Sequence, residues 1–346
     1  MGSVPSRSPK IAWGLLGLGP QGARLAAAIA SSTTGRLVAV ASEDTARAAA
    51  FASRHGEVGV MTPRQLLLDE KIEAIAIASP DYRHASETIA ALKSGKHVFC
   101  EKPMSERLSS ALAMSREARR VDRRLAIGFH LRMRPSMRRA REILKDGIIG
   151  RVNLIELDWS IGGPGQTALP PLPAHRAWRE DPRLTAGGAL AARGSHLIDL
   201  VRFLTGQEVG LVSAQASFSH DGIDLSFSSI MDVGGTTAIV HSSKTEPYPD
   251  NTVTLHGDLG RITLTDALDP SSEETLTLRT TDGDQTEAFR ADDPYRLEID
   301  SFAAMIRDED TDLATAADGL ASMAVMEAIK RAYGTGRSAI PRRYTV

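Results

Sequence analysis

The sequence predicts an α/β chain in which a doubly wound parallel sheet is followed by an α+β part with a large, open, mostly antiparallel sheet. Three observations carry this. Over the first third, short apolar runs alternate with helical patterns, which is how βαβ units read. Those runs are continuously apolar, as parallel strands become when helices cover both faces. Beyond residue 150 the runs instead alternate apolar with polar, as in an antiparallel sheet with one covered face.

In order, residues 11–16 read as a strand, 21–30 as a helix, 37–41 as a strand and 45–54 as a helix. Residues 72–78 follow as a strand, 84–93 as a helix and 96–100 as a strand. Ser105 is a suitable N-cap for a helix running to about residue 120, and 125–129 is one more strand. The pattern changes after Pro135: residues 136–145 are helical and stop at Gly147. From Arg151, Asn153, Ile155, Leu157, Trp159 and Ile161 form a mostly apolar face, with Glu156, Asp158 and Ser160 opposite. Similar strands are expected at about 208–219, 223–232, 236–244, 251–256 and 260–265, and two helices at about 295–308 and 312–333. The Gly- and Pro-rich stretch 162–173 is a loop and a candidate lid.

Composition narrows the function classes. The chain has 346 residues, 42% hydrophobic and 24% charged, enough for two domains with a sizeable core. A net charge of −2 gives no global attraction to nucleic acid or to anionic membrane. The arginines from Arg132 to Arg141 lack interleaved aromatics and read as a solvated helix face. No apolar run approaches the roughly 18 residues of a membrane span, and residues 1–9 are polar, without the apolar core of a secretion signal. They read as a disordered start. Cys100 is the single cysteine, at a strand end, so no intrachain disulfide forms and a cytoplasmic location is expected. No metal-ligating motif stands out.

Gly17-Leu18-Gly19-Pro20-Gln21-Gly22 fits G-x-G-x-x-G between a strand and a helix. Gly17 permits the tight turn, Gly19 the close approach of a pyrophosphate, and Gly22 close packing of helix on strand. The helix N-terminus offers free N–H groups to the phosphates, and Pro20 suits the first turn, where no N–H is needed. Residues 10–127 are therefore expected to form a dinucleotide-binding domain, and 128–346 a substrate-binding and oligomerisation domain. The ribose 2′-position is read about twenty residues on, at Ser42 and Glu43. Glu43 favours NAD(H) over NADP(H), because an acid binds the ribose diol and repels a 2′-phosphate; Arg47, one helical turn on, is within reach of a phosphate.

With this fingerprint, Ser79-Pro80-Asp81, His84 and Glu101-Lys102-Pro103 in one order, the chain resembles the Gfo/Idh/MocA oxidoreductases over nearly its whole length. Gly128-Phe129 with Arg132 and Pro135, Gly187-Gly188 through Asp199, and Asp318-Gly319 extend the resemblance. It implies hydride transfer between a nicotinamide and a hydroxyl-bearing carbon of a sugar, cyclitol or related polyol, or its keto form. It also implies catalytic roles for Lys102 and His196, a cis Pro103, and cofactor contacts from Ser79, Pro80, His84 and Glu101. His130, Arg132, Trp178, Arg193 and Asp199 are expected to line the substrate site, and a homodimer or homotetramer is expected through the C-terminal sheet.

The sequence departs from the family where an Asp usually precedes the histidine by four residues: here stands Ala192. On an α-helix, residues 192, 196 and 199 share a face, which thus shows methyl, imidazole and carboxylate. Three readings stay open: a dehydrogenase using Lys102 and His196 alone; a different substrate contact from Arg193, toward an acidic or more oxidised substrate; or a non-catalytic dinucleotide-binding regulator. A redox-neutral enzyme with tightly bound NAD is a further alternative.

Overall fold

The computed structural model describes residues 9–165, 172–269, 271–290 and 292–344, apart from the side chains of 174 and 175. The disordered start expected at residues 1–9 lies outside them except for Pro9, and the central part of the expected 162–173 loop also lies outside.

The chain begins β1 (Ile11–Leu16), α1 (Pro20–Ser31), β2 (Gly35–Ala41), α2 (Thr45–Ala52), β3 (Gly59–Met61), α3 (Pro63–Leu68), β4 (Ala74–Ile77) and α4 (Asp81–Lys93). It continues through β5 (His97–Glu101), α5 (Leu108–Arg120) and β6 (Leu125–Gly128). The six strands form one parallel sheet in the order β3-β2-β1-β4-β5-β6. The order reverses between β1 and β4, and an open α/β sheet binds ligands beyond the strand ends at such a switch point. Continuous apolarity follows from burial on both sides: every residue of β1 and β4 is buried.

The second part holds α6 (Pro135–Lys145), β7 (Val152–Asp158), α7 (Ser195–Thr205), β8 (Val209–Phe218), β9 (Asp224–Val233) and β10 (Thr236–Ser243). After β11 (Val253–Gly257), β12 (Gly260–Thr265), β13 (Glu274–Thr280) and β14 (Gly283–Phe289) come α8 (Pro294–Ile306) and α9 (Ala316–Thr335). The eight strands order as β14-β13-β12-β11-β7-β10-β9-β8, antiparallel except for the β7–β10 pair. Ile155, Leu157, Phe227, Met231, Ala238 and Val240 point into the core with α6, α7 and α9, while the cross-strand pair Ile230 and Ile239 stays on the open face. The two closing helices return to the first sheet. Phe302 of α8 meets Trp13 and Phe99 at 5.3 and 6.1 Å between ring centroids, and Thr315, which caps α9, bridges Ala126 of β6.

Some elements differ from expectation. Ser105 is not the N-cap of α5: its hydroxyl donates to the Arg107 carbonyl at 2.6 Å, and Arg107 occupies the cap. The short β3 and α3 and the β13–β14 hairpin were not foreseen; β14 is an exposed edge with no apolar alternation to betray it. Arg132 and Asp199, expected in the substrate wall, instead form a buried bidentate pair, both bonds 2.7 Å. Arg132 also reaches Asp318 at 3.0 Å, which Arg202 meets at 3.4 Å. The reason is packing: the turn at His130–Met133, α7 and α9 converge there, and a buried guanidinium needs carboxylates around it. Removing the cation strands the buried Asp199 carboxylate, so Arg132→Met is expected to lower unfolding free energy by about 3–5 kcal/mol, read from urea denaturation midpoints.

Candidate active site

The fingerprint loop behaves as its glycines require. Gly17 sits at φ +95°, and a Cβ there would lie 2.3 Å from the Ala78 and Ser79 backbone. A Cβ at Gly22 would lie 1.8 Å from the Gly17 carbonyl oxygen, so helix and loop could not close up. Around Gly19 a Cβ would meet nothing within 4 Å, an open cradle at the start of α1 that no side chain caps. That is the space and the donor set a pyrophosphate needs, so the residues fit a dinucleotide. Pro20 opens α1. Gln21 donates to Glu101 Oε1 at 2.7 Å, and Glu101 Oε2 accepts from the Lys102 amide, so the first helix is tied to the end of β5.

At the end of β2, Ser42 accepts from the Asp44 amide, Asp44 caps α2, and Glu43 is exposed. Arg47 folds back so that its guanidinium donates to the Leu18 carbonyl at 3.3 Å, over the rim of the fingerprint. Past β4, the Ser79 hydroxyl donates to Glu87 at 2.6 Å, and Pro80 caps α4. His84 is buried between two carbonyl oxygens, Nδ1 to Pro103 and Nε2 to Ser79, each 2.9 Å. Two carbonyl acceptors require two N–H donors, the charged imidazolium. Burial pushes its pKa down, but Cys100, Asp81 and the Pro103 carbonyl outweigh that and hold it up at about 10. His84 thus clasps the loop after β4 to the Lys102–Pro103 turn, whose peptide is cis.

Lys102 projects from that turn into a cleft of about 1450 Å³ also lined by Gln21, Glu101, His130, Trp159, Ala192 and His196. Its Nζ donates to the Ala192 carbonyl at 2.6 Å and lies 3.5 Å from that of Ala191. Those carbonyls belong to Leu190–Gly194, which winds as a π-helix rather than the α-helix assumed from residue spacing. A π turn widens the helix by one residue, and such turns concentrate at functional sites. Asp224 holds this turn by accepting from Gly188 and Leu190 at 2.6 and 2.7 Å. Ala192 faces the cleft with a methyl group, and a backbone carbonyl, not a carboxylate, meets the lysine there.

Burial lowers the Lys102 pKa to about 8; Glu101 and Asp81 oppose the shift, and Arg179 and Arg193 add to it. His196 is pushed well below its ordinary value by burial, then by Lys102, His130 and Arg193, so it stands neutral. Its Nδ1 is buried and has no hydrogen-bond partner among the described residues. His130 packs 4.5 Å from His196 and stacks on Tyr295 at 4.6 Å between centroids; burial and Lys102 hold its pKa down to about 3. Arg193 lies over the Trp159 ring at 5.5 Å, and His196 meets the same indole at 5.6 Å.

Of the expected substrate residues, His130 and Arg193 reach the cleft. Arg132 and Asp199 pair elsewhere, and Trp178 packs edge-on against Tyr82 at 6.2 Å beneath Arg179. Sequence reasoning missed Tyr295, Lys244 and Asn251, which arrive from distant segments and carry no motif. Elsewhere, Asp158, His241 and Glu246 bring possible metal-ligating atoms within 4.8 Å of one another, with His241 and Glu246 already hydrogen-bonded at 2.8 Å. Among the described residues no helix is long and apolar enough to cross a membrane.

Comparison with known proteins agrees with this geometry. Residues 11–129 match the Gfo/Idh/MocA oxidoreductase family's NAD-binding Rossmann-fold domain, and residues 137–263 match its C-terminal domain. The chain is 26% identical over 334 residues to a 1,5-anhydro-D-fructose reductase of Ensifer adhaerens, covering 94% of this chain and 97% of the relative. It is 28% identical over 345 residues to an inositol 2-dehydrogenase of Rhizobium meliloti, covering 94% and 98%. In fold it is similar to an aldose-aldose oxidoreductase of Caulobacter crescentus, with a TM-score of 0.84 at 22% identity over 96% of this chain and 99% of that one.

The charged His84 sets a pH signature. Its folded pKa lies above the unfolded value of about 6.5, so its contribution is complete below pH 6.5 and is lost as pH rises toward 10. Lys102, shifted the other way, acts in the opposite sense above pH 8, so the comparison is between variants. Urea midpoints of the wild type are expected to fall relative to those of His84→Gln between pH 6.5 and 9; parallel curves would show an uncharged imidazole.

Proposed function

The chain belongs to the Gfo/Idh/MocA oxidoreductase family, and we propose that it moves a hydride between NAD(P) and a hydroxyl-bearing carbon of a sugar, cyclitol or related polyol, or its keto form. The observation that carries this is Lys102. A buried amine with its pKa lowered to about 8 stands in the cleft beside a neutral imidazole, beyond the carboxyl end of β5, on the strand-end side of the sheet where open α/β sheets bind ligands. When bound, the cofactor supplies the hydride chemistry.

The chain's own residues manage the proton. In oxidation, the neutral Lys102 amine takes the substrate hydroxyl proton, and neutral His196, on the α7 side of the cleft, is the second group able to accept it. In reduction, the Lys102 ammonium donates to the carbonyl oxygen. The Ala192 carbonyl fixes the direction of Nζ, and the Gln21–Glu101 link holds the turn that carries it. Gly17, Gly19, Pro20, Gln21 and Gly22 would cradle the pyrophosphate, with Ser79, Pro80 and His84 shaping the nicotinamide side. Residues 10–127 would serve as the cofactor domain, and 128–346 as the substrate and oligomerisation domain. The exposed Ile230–Ile239 pair supports a homodimer or homotetramer through the open sheet. The single buried cysteine supports a cytoplasmic setting.

Glu43 supports NAD(H) as the preferred cofactor. Arg47 over the Leu18 carbonyl supports NADP(H) as the second reading. Fluorescence titration is expected to give tighter binding of NADH than of NADPH; the reverse order would move the preference to Arg47.

Lys102→Ala is expected to lower turnover by about 10²–10⁴-fold while NADH affinity stays within about threefold. In the wild type, kcat/KM for oxidation should rise with pH through a limb near 8, and reduction should fall through it. Wild-type rates in the variant would remove the lysine from the chemistry. Tight NADH binding with no absorbance change at 340 nm across polyols and ketoses would favour a non-catalytic regulator.

A further inference from the structure

We propose that the substrate end of this cleft is built for an anion: the substrate is a sugar or polyol carrying an oxyanion, a carboxylate or a phosphate, held by Arg193. This deepens the oxidoreductase reading and rests on it.

Arg193 is half-buried in the cleft wall, its guanidinium over Trp159 and its Nε enclosed without an acceptor. Among the described residues it makes no ion pair, and burial alone perturbs it, with no carboxylate contributing. Removing a guanidinium from water without a partner is costly, and a bound oxyanion offsets that cost. Its planar fork suits bidentate binding of a carboxylate or phosphate, and the indole beneath fixes its plane.

Other cations stand near Arg193, and of the acids elsewhere in the lining Asp269 accepts from Ser271, Asp292 from Arg296 and Asp293 from the Tyr295 amide. Arg176, Arg179 and Lys244 line the same cleft. Arg179 and Arg193 bear electrostatically on both Lys102 and Lys244. From Trp159 through Arg179 the sequence has no Asp or Glu, and none falls between residues 182 and 198; Trp159, Arg176, Arg179 and Arg193 of these stretches line the cleft. The nearby acids are engaged: Asp224 with the π turn, Glu101 with Gln21, and Asp81 with Thr185. Glu180 and Asp221 also line the cleft, and neither pairs with Arg193. A neutral polyol brings hydroxyl donors that need acceptors, and this wall offers mainly donors. An anionic substrate reverses that mismatch and balances the charge around Lys102.

The test uses the NADH-loaded enzyme. Thermal unfolding midpoints are measured with D-gluconate, D-glucuronate and D-glucose 6-phosphate, and with D-glucose and D-glucitol as neutral counterparts, at matched ionic strength. At least one anion is expected to raise the midpoint saturably while the neutral compounds do not; a larger shift from the acids or from the phosphate identifies the source. In Arg193→Gln, with NADH affinity confirming the fold, that anion's affinity is expected to fall at least thirtyfold. Equal shifts from neutral and anionic compounds, or an unchanged anion shift in Arg193→Gln, would overturn the proposal. Anion binding without any change at 340 nm, with NAD⁺ or NADP⁺ supplied for oxidation and NADH or NADPH for reduction, would leave this site standing and sink the oxidoreductase reading, whereas turnover of neutral sugars alone would do the reverse.

Discussion

The hydrogen bond from the Lys102 ammonium to the Ala192 carbonyl joins the two halves of the active cleft. The lysine belongs to the turn after β5, on the cofactor-binding sheet; the carbonyl belongs to the π turn that leads into α7 and His196. Each side is braced separately. Gln21, Glu101 and His84 hold the lysine turn, and Asp224 holds the π turn. Because both partners are fixed, the amine can be buried yet remain solvated by a backbone dipole. Burial lowers its pKa to about 8 against the opposing pull of Glu101 and Asp81, near the range where a proton moves either way at little cost.

Ala192 shows how the departure from the family pattern is accommodated. The carboxylate absent from that position is not replaced by another acid. A widened helical turn turns its own carbonyl toward the lysine, while the cations of Arg179 and Arg193 press on the same amine. Lys102 and His196 still face one cleft, and burial lowers the basicity of both.

The parallel sheet, the glycine loop and the strand that delivers Lys102 were legible in the sequence, because each rests on local periodicity or on steric demands at Gly17 and Gly22. His196 and His130, both singled out in the sequence, reach the cleft. Arg132 and Asp199 were misread because their types suit a polar site equally well. Only the convergence of the 130–133 turn, α7 and α9 shows that they satisfy each other in the core. The π turn was invisible, since one extra residue per turn leaves no compositional mark. Tyr295 and Lys244 enter from remote segments, so nothing local announced them.

The central claim is that Lys102 titrates near pH 8 because the fold buries it, with Arg179 and Arg193 adding to the shift. The direct measurement is the pH dependence of Lys102 acylation by a small reagent, followed residue by residue by mass spectrometry on the folded protein. The account expects an inflection near pH 8 for Lys102. An inflection near the ordinary lysine value of about 10.4 would contradict it.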